Sequence, residues 1–251
     1  MSTIELSLPA ALHEKTLKRL VETFNLEEMH GEDGGPLLRF ISQVPMAQGE
    51  MGYMRVFKGG PLFQVCTATI VVPAIQLDSH MVFAFMPSDS AVPHFTVDSV
   101  CAGPHFAYHL DLIPRADLGS RLSYMNEVYQ PLTEACQIAR TTEGLSPAVL
   151  APRQWAIMSP WMLASRANPE AFQAINKTVD IYFDHWANLV KNGLSAEATQ
   201  GLSKEELIAR DKRNKEMIFN IEIDPVWNQI TPLLGADMVA KQIEVLRRTS
   251  A

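Results

Sequence analysis

The run Pro93-His94-Phe95-Thr96-Val97-Asp98-Ser99-Val100 places an imidazole, a hydroxyl and a carboxylate at alternate positions. Side chains of a strand alternate between faces, so His94, Thr96 and Asp98 project to one side and Phe95 and Val97 to the other. A carboxylate on a central, covered strand loses water, which raises its pKa toward that of a useful proton donor. On an edge or an open face it stays hydrated and inert. His80 opens the apolar run 81–86; it either reaches the sheet face near Asp98 across the connection 87–92 or is a structural histidine. His105, His109 and Asp111 also share a face, but residues i and i+4 of a strand stand roughly 13 Å apart. The two histidines therefore do not bind one metal unaided, and no metal site is expected.

A second stretch, Arg210-Asp211-Lys212-Arg213-Asn214-Lys215, puts four cations and one anion into six residues of an acidic chain. It is either a solvated helix face or a patch for docking an acidic partner through Lys212, Arg213 and Lys215. Asp224-Pro225 follows in a loop, where a carboxylate can reach a pocket without being buried in the fold. Ser99, Cys66 or Cys136 would need an oriented base to act as a nucleophile, and no G-x-S-x-G elbow is present. The phosphate-binding, dinucleotide-binding and H-E-x-x-H motifs are likewise absent.

These groups have to be held by a scaffold. Pro9 to Phe24 reads as an amphipathic helix, with Leu12, Leu17, Leu20, Val21 and Phe24 on one side. Short runs rich in Val, Ile, Phe and Thr predict strands near 37–43, 53–58, 62–72, 80–86, 93–100 and 105–112. The connections are too short for helical crossovers, so the sheet is expected to be mainly antiparallel. After Pro114 the period becomes helical. One face runs through Leu122, Met125, Val128, Leu132, Cys136 and Ala139, and the clearest helix is 169–191, with Asn168 as N-cap and Pro169 in first position. Ser203 and Glu206 form a capping box for a helix to about Met217, and a last helix runs from about Gly235 to Arg248. The expected class is α+β, a single domain over 1–251 with helices covering an antiparallel sheet.

The 251 residues are 47% hydrophobic and carry a formal charge of −7, which fits a packed globular protein and not a disordered one. The acidic balance argues against nucleic acid as a partner. No apolar stretch is long enough to span a membrane, and the first residues lack the pattern of a secretory or import leader. Three cysteines without a C-x-x-C pair suggest a reducing cytoplasm.

The P-H-F-x-x-D stretch at Pro93–Asp98, followed by Leu110-Asp111-Leu112-Ile113-Pro114-Arg115-Ala116-Asp117-Leu118, resembles the central block of red chlorophyll catabolite reductases. Arg210-Asp211-Lys212, Ile221-Glu222-x-Asp224 and the Leu-Gly before the last helix extend the resemblance over roughly 60–248. These enzymes belong to the superfamily of ferredoxin-dependent bilin reductases. The resemblance implies a three-layer α/β/α sandwich around an antiparallel sheet, with an open-chain tetrapyrrole bound between the sheet and the C-terminal helices. It implies no bound cofactor, with electrons arriving singly from external reduced ferredoxin. By position it makes Asp98 the acid of the central strand and Asp224 the second acid, with Glu222 as a neighbour able to take that place. It sets His80 near a histidine used by some bilin reductases, and it lays the substrate across the row of His94 and Thr96.

The function expected is therefore reduction of red chlorophyll catabolite or a bilin, with carboxylates as proton donors. Two alternatives stand beside it: a cofactor-independent lyase or isomerase acting on a small aromatic compound, and a non-catalytic tetrapyrrole-binding protein. The expected partners are that small molecule and ferredoxin. The oligomeric state is open, a homodimer included.

Overall fold

The computed structural model describes residues 6–250. Its first helix, α1 (Leu8–Phe24), begins at Ser7, whose hydroxyl accepts the Ala10 N–H at 3.2 Å, and Pro9 sits in the first turn. Leu12, Leu17, Leu20 and Phe24 form its buried stripe, each contributing about 2 kcal/mol on removal from water.

The strands β1 (Glu27–Met29) and β2 (Leu38–Ile41) both pair with the outer side of β3 (Glu50–Gly59). From β3 the chain meanders through β4 (Leu62–Val72), β5 (Leu77–Phe85), β6 (His94–Ala102) and β7 (His105–Ile113). Two later strands, β8 (Leu145–Pro147) and β9 (Leu163–Ala167), complete the sheet, with β9 against β7 and β8 outermost. All pairings are antiparallel, as the short connections require. The six strands expected from sequence correspond to β2–β7. The other three are short segments, of three to five residues, that carry too little alternation to be read alone.

Helices cover both faces of the sheet. The first face packs Val65, Val82, Phe95, Val97, Leu110 and Leu112 against α1, α2 (Leu122–Val128), α3 (Thr133–Thr141) and the short α4 (Pro152–Trp155) follows before β9. The long α5 (Pro169–Asn192) lies on the same first face and inserts Phe172, Ile175, Val179, Phe183 and Trp186. The N-cap of α5 is Asn168, accepting the Ala171 N–H at 2.8 Å. After the one-turn α6 (Ala196–Thr199), α7 (Lys204–Ile218), α8 (Val226–Leu234) and α9 (Ala236–Arg247) close the second face over Val56, Cys66, Ala68, Ile70, Phe83 and Phe85.

Two helical expectations change. The stripe from Leu122 to Ala139 is broken into α2 and α3 by a 3-10 turn at Gln130–Leu132, since Pro131 cannot donate to a continuing helix. The helix α8 was not expected: Asp224-Pro225 read as a loop, and Pro225 in fact stands at the helix start, with Pro232 inside the helix. No described helix is long and apolar enough to cross a membrane.

Candidate active site

The hairpin β6–β7 sets the geometry. Ala102 pairs with His105 across Gly103 and Pro104, and Gly103 takes φ +59° to make the turn. That register aligns Asp98 with His109 and Thr96 with Asp111. Residues paired across strands share a face, and Asp98 also pairs with Met81, Thr96 with Phe83. All of them therefore face the C-terminal helices.

Asp98 Oδ2 lies 3.3 Å from His109 Nδ1. The Asp98 side chain is 37% exposed and that of His109 18%. A carboxylate accepts, so Nδ1 carries the proton. Burial alone would lower the pKa of His109. The hydrogen bond to Asp98 and the charges of Asp98, Asp111 and Asp224 reverse this and raise it above its usual value. Asp98 Oδ1 and His109 Nε2 are buried atoms without a hydrogen-bond partner among the described residues. Each thus has an unused valence for hydrogen bonding.

Asp224, in the loop between α7 and α8, completes the group. Its Oδ1 accepts the Val226 N–H at 3.1 Å. Burial raises its pKa, the Asp98 charge adds to the rise, and His109 and the Val226 N–H work against it. Beneath His109 on β7, Asp111 is fully buried and accepts from Ser159 Oγ at 2.5 Å and Ser159 N at 2.9 Å. Desolvation pushes its pKa up to about 6. A strand and its hairpin partner thus bring a carboxylate and an imidazole together, with Asp111 next on the same face and Asp224, from a loop some 120 residues away, close enough for its charge to act on His109.

The remaining residues singled out from sequence fall elsewhere. His80 pairs with Ser99, whose hydroxyl donates to Pro9 O of α1, so both face the first layer. There His80 Nε2 contacts Asp78 Oδ1 at 2.6 Å, Nδ1 contacts Thr69 Oγ1 at 3.1 Å, and the ring lies against His13. The sheet itself separates His80 from Asp98, because their positions on neighbouring strands have opposite parity.

His94 is on the Asp98 face but sealed: its Nδ1 accepts the Met86 N–H at 3.0 Å, so Nε2 carries the proton and donates to Asp211 at 2.8 Å. Burial, with the Arg115 charge added, pushes its pKa down to about 3 and holds it neutral. Thr96 is fully buried with its hydroxyl unpartnered among the described residues. Glu222 is exposed beside Asp224.

The docking patch also divides. Lys212 and Arg213 are exposed on α7. Lys215 is completely buried, 3.0 Å from Asp211 and over the Phe85 ring at 4.8 Å, so it presents nothing to a partner. A helix turns 100° per residue, which sends position 215 inward where 212 and 213 point outward.

His109 is the residue that sequence reading did not pair with Asp98. The signal was available: a two-residue turn at Gly103-Pro104 fixes a register in which 98 faces 109.

A cavity of about 550 Å³ lies at the β8–β9 edge of the sheet, lined by Trp155, Met158, Ser159, Met162, Ala164 and Arg140 among others, and by neither Asp98, His109 nor Asp224. It touches the site at Ala164, the strand partner of His109, and at Ser159, which holds Asp111. Its size suits a sizeable organic ligand.

No protein-family model matches the chain, and no curated protein does. Among solved structures it is similar to phytochromobilin synthase from tomato, determined in complex with biliverdin. The TM-score is 0.74 at 16% sequence identity, covering 94% of this chain and 82% of that one. The nine-stranded antiparallel sheet between helical layers is thus the fold that the tomato bilin-binding enzyme shares.

Proposed function

We propose that this chain is a reductase of an open-chain tetrapyrrole, a bilin or red chlorophyll catabolite, taking electrons one at a time from reduced ferredoxin and supplying the protons itself. The observation that carries the reading is the Asp98–His109 pair, with Asp98 Oδ1 and His109 Nε2 buried and unpartnered among the described residues, in a fold shared with an enzyme solved with biliverdin. Each two-electron reduction consumes two protons. The first electron makes the conjugated substrate a strong base, and His109, favoured as the imidazolium by its raised pKa and oriented by the Nδ1–H bond to Asp98, donates its Nε2 proton. Asp224, whose raised pKa keeps it protonated to higher pH, supplies the second. Lys212 and Arg213 are exposed to receive an acidic donor protein.

The test is anaerobic absorbance of the protein with biliverdin, then with red chlorophyll catabolite, with and without photoreduced ferredoxin. Conversion that requires ferredoxin is expected. Asp98→Asn is expected to keep pigment binding and lose roughly 10²–10⁴-fold in turnover. Conversion without a donor would assign redox-neutral acid/base chemistry instead. Tight binding that is never turned over would assign a pigment carrier.

A further inference from the structure

We propose that the cavity between the β7–α2 connection and the first turns of α7 is a binding site for a small tetrahedral oxyanion of the phosphate class. The site is separate from the Asp98–His109 pair and shares Arg213 with the exposed patch assigned above to the donor protein. The cavity encloses about 200 Å³, and four arginines line it: Arg115, Arg121, Arg210 and Arg213. In a chain of net charge −7, this is a local excess of positive charge.

Two of the arginines are held by backbone carbonyls. Arg121 donates to Gln200 O at 2.7 Å and Gly201 O at 2.9 Å, and Arg210 Nε faces Pro114 O at 3.5 Å. Among the described residues, neither these two nor Arg213 has a carboxylate within ion-pair distance. Two acids also line the wall and offset part of the positive charge, each with hydrogen bonds of its own. Asp117 accepts from Gly119 N and Ser120 Oγ, and Glu206 accepts the Ser203 N–H in the capping box of α7.

Arg115, at the inner wall, is tied into the buried cluster behind it. Its side chain is 1% exposed, and its terminal nitrogens go to Asp211, Ser88 O and Leu207 O. Its Nε is buried with no partner among the described residues. The buried group behind the wall carries two cations, Arg115 and Lys215, on one anion, Asp211, so its net charge is positive. The N-terminus of α7, whose Glu206 and Leu207 also line the cavity, adds the positive end of a helix dipole.

Size selects the ligand. At roughly 30 Å³ per water, the cavity holds an oxyanion with a few waters, and it is below the roughly 300–1,000 Å³ of pockets for larger organic ligands. His94, anchored to this cluster, is four residues from Asp98 along β6, roughly 13 Å. An anion here would tie the 114–121 connection to α7 through planar, multidentate contacts that suit tetrahedral oxygens.

The experiment is isothermal titration and thermal melting of the full chain with inorganic phosphate, glycerol 3-phosphate, acetate, and sodium chloride at matched ionic strength. A saturable response to phosphate, absent with chloride, is expected. Arg213→Ala and Arg121→Ala should each weaken it at least about 10-fold, and Lys241→Ala, an exposed cation on α9, should leave it unchanged. Tighter binding of glycerol 3-phosphate than of phosphate would identify a phosphorylated organic molecule; the reverse order would identify free phosphate. No saturable phosphate binding overturns the proposal, as does acetate binding equally well or binding that is insensitive to both arginine variants. Circular dichroism of each variant separates lost binding from lost folding.

Discussion

Asp98 and His109 form a pair in which each leaves one polar atom buried and unpartnered among the described residues. A buried polar atom without a partner costs about 1–3 kcal/mol, and a substrate carrying pyrrole N–H and lactam groups would recover it. The raised pKa of His109 has a kinetic consequence. The imidazole stays protonated further toward neutral pH than a free one, and activity that depends on it is lost as pH rises through its folded pKa. His109→Gln should remove that alkaline limb from the pH–rate profile and lower turnover roughly 10²–10⁴-fold. A variant with the wild-type profile would take His109 out of the proton path. Replacing His80 should leave the limb untouched, since His80 lies on the other side of the sheet.

At the scale of elements, α7 is tied to β6 and to the end of β7 by a buried cluster of His94, Arg115, Asp211 and Lys215. Asp211 is the hub: burial opposes its ionisation, yet His94, Arg115 and Lys215 together hold its carboxyl well below the usual range. Removing the hub leaves two buried cations uncompensated, whereas removing Lys215 leaves a matched Arg–Asp pair. Asp211→Asn should therefore cost about 3–5 kcal/mol, measured by urea denaturation. Lys215→Met should cost clearly less. Equal losses would mean that the cluster is held by packing and not by charge. The hairpin turn is a second element-scale constraint. Gly103 sits at φ +59°, so Gly103→Val strains the turn that sets the Asp98–His109 register.

For the whole molecule, two buried groups on the Asp98 face of the sheet impose opposite pH dependences on stability. His94 has its pKa depressed to about 3. The unfolded chain binds a proton there that the folded chain refuses, and stability falls as pH drops from about 6.5 toward 3. Asp111, raised to about 6, acts the other way: the folded form binds more protons between about 4 and 6, and stability falls as pH rises through that window. Asp111→Asn keeps a polar partner for Ser159 and cannot ionise. Relative to the wild type it should gain about 3 kcal/mol between pH 4 and pH 7. Chemical denaturation of both proteins across that range measures the difference. A constant difference would mean that Asp111 has the same pKa in the folded and unfolded chain.

Much of this was determined by the chain's local pattern. Alternation in 93–100 placed Phe95 and Val97 in one layer and Asp98 in the other. The capping signals of Asn168 and Ser203 marked two helices, and the short connections required an antiparallel sheet. Local pattern acts over a few residues and fixes only which side of its own element a residue takes. The approach of Asp224, withdrawal of Lys215 into the core and the placing of His80 on the far face depend on register between other strands and on helix docking. Those are set by burial summed over both layers, a quantity no single segment contains. The one long-range feature that was legible locally is the Gly103-Pro104 turn, because a two-residue hairpin converts sequence spacing directly into strand register.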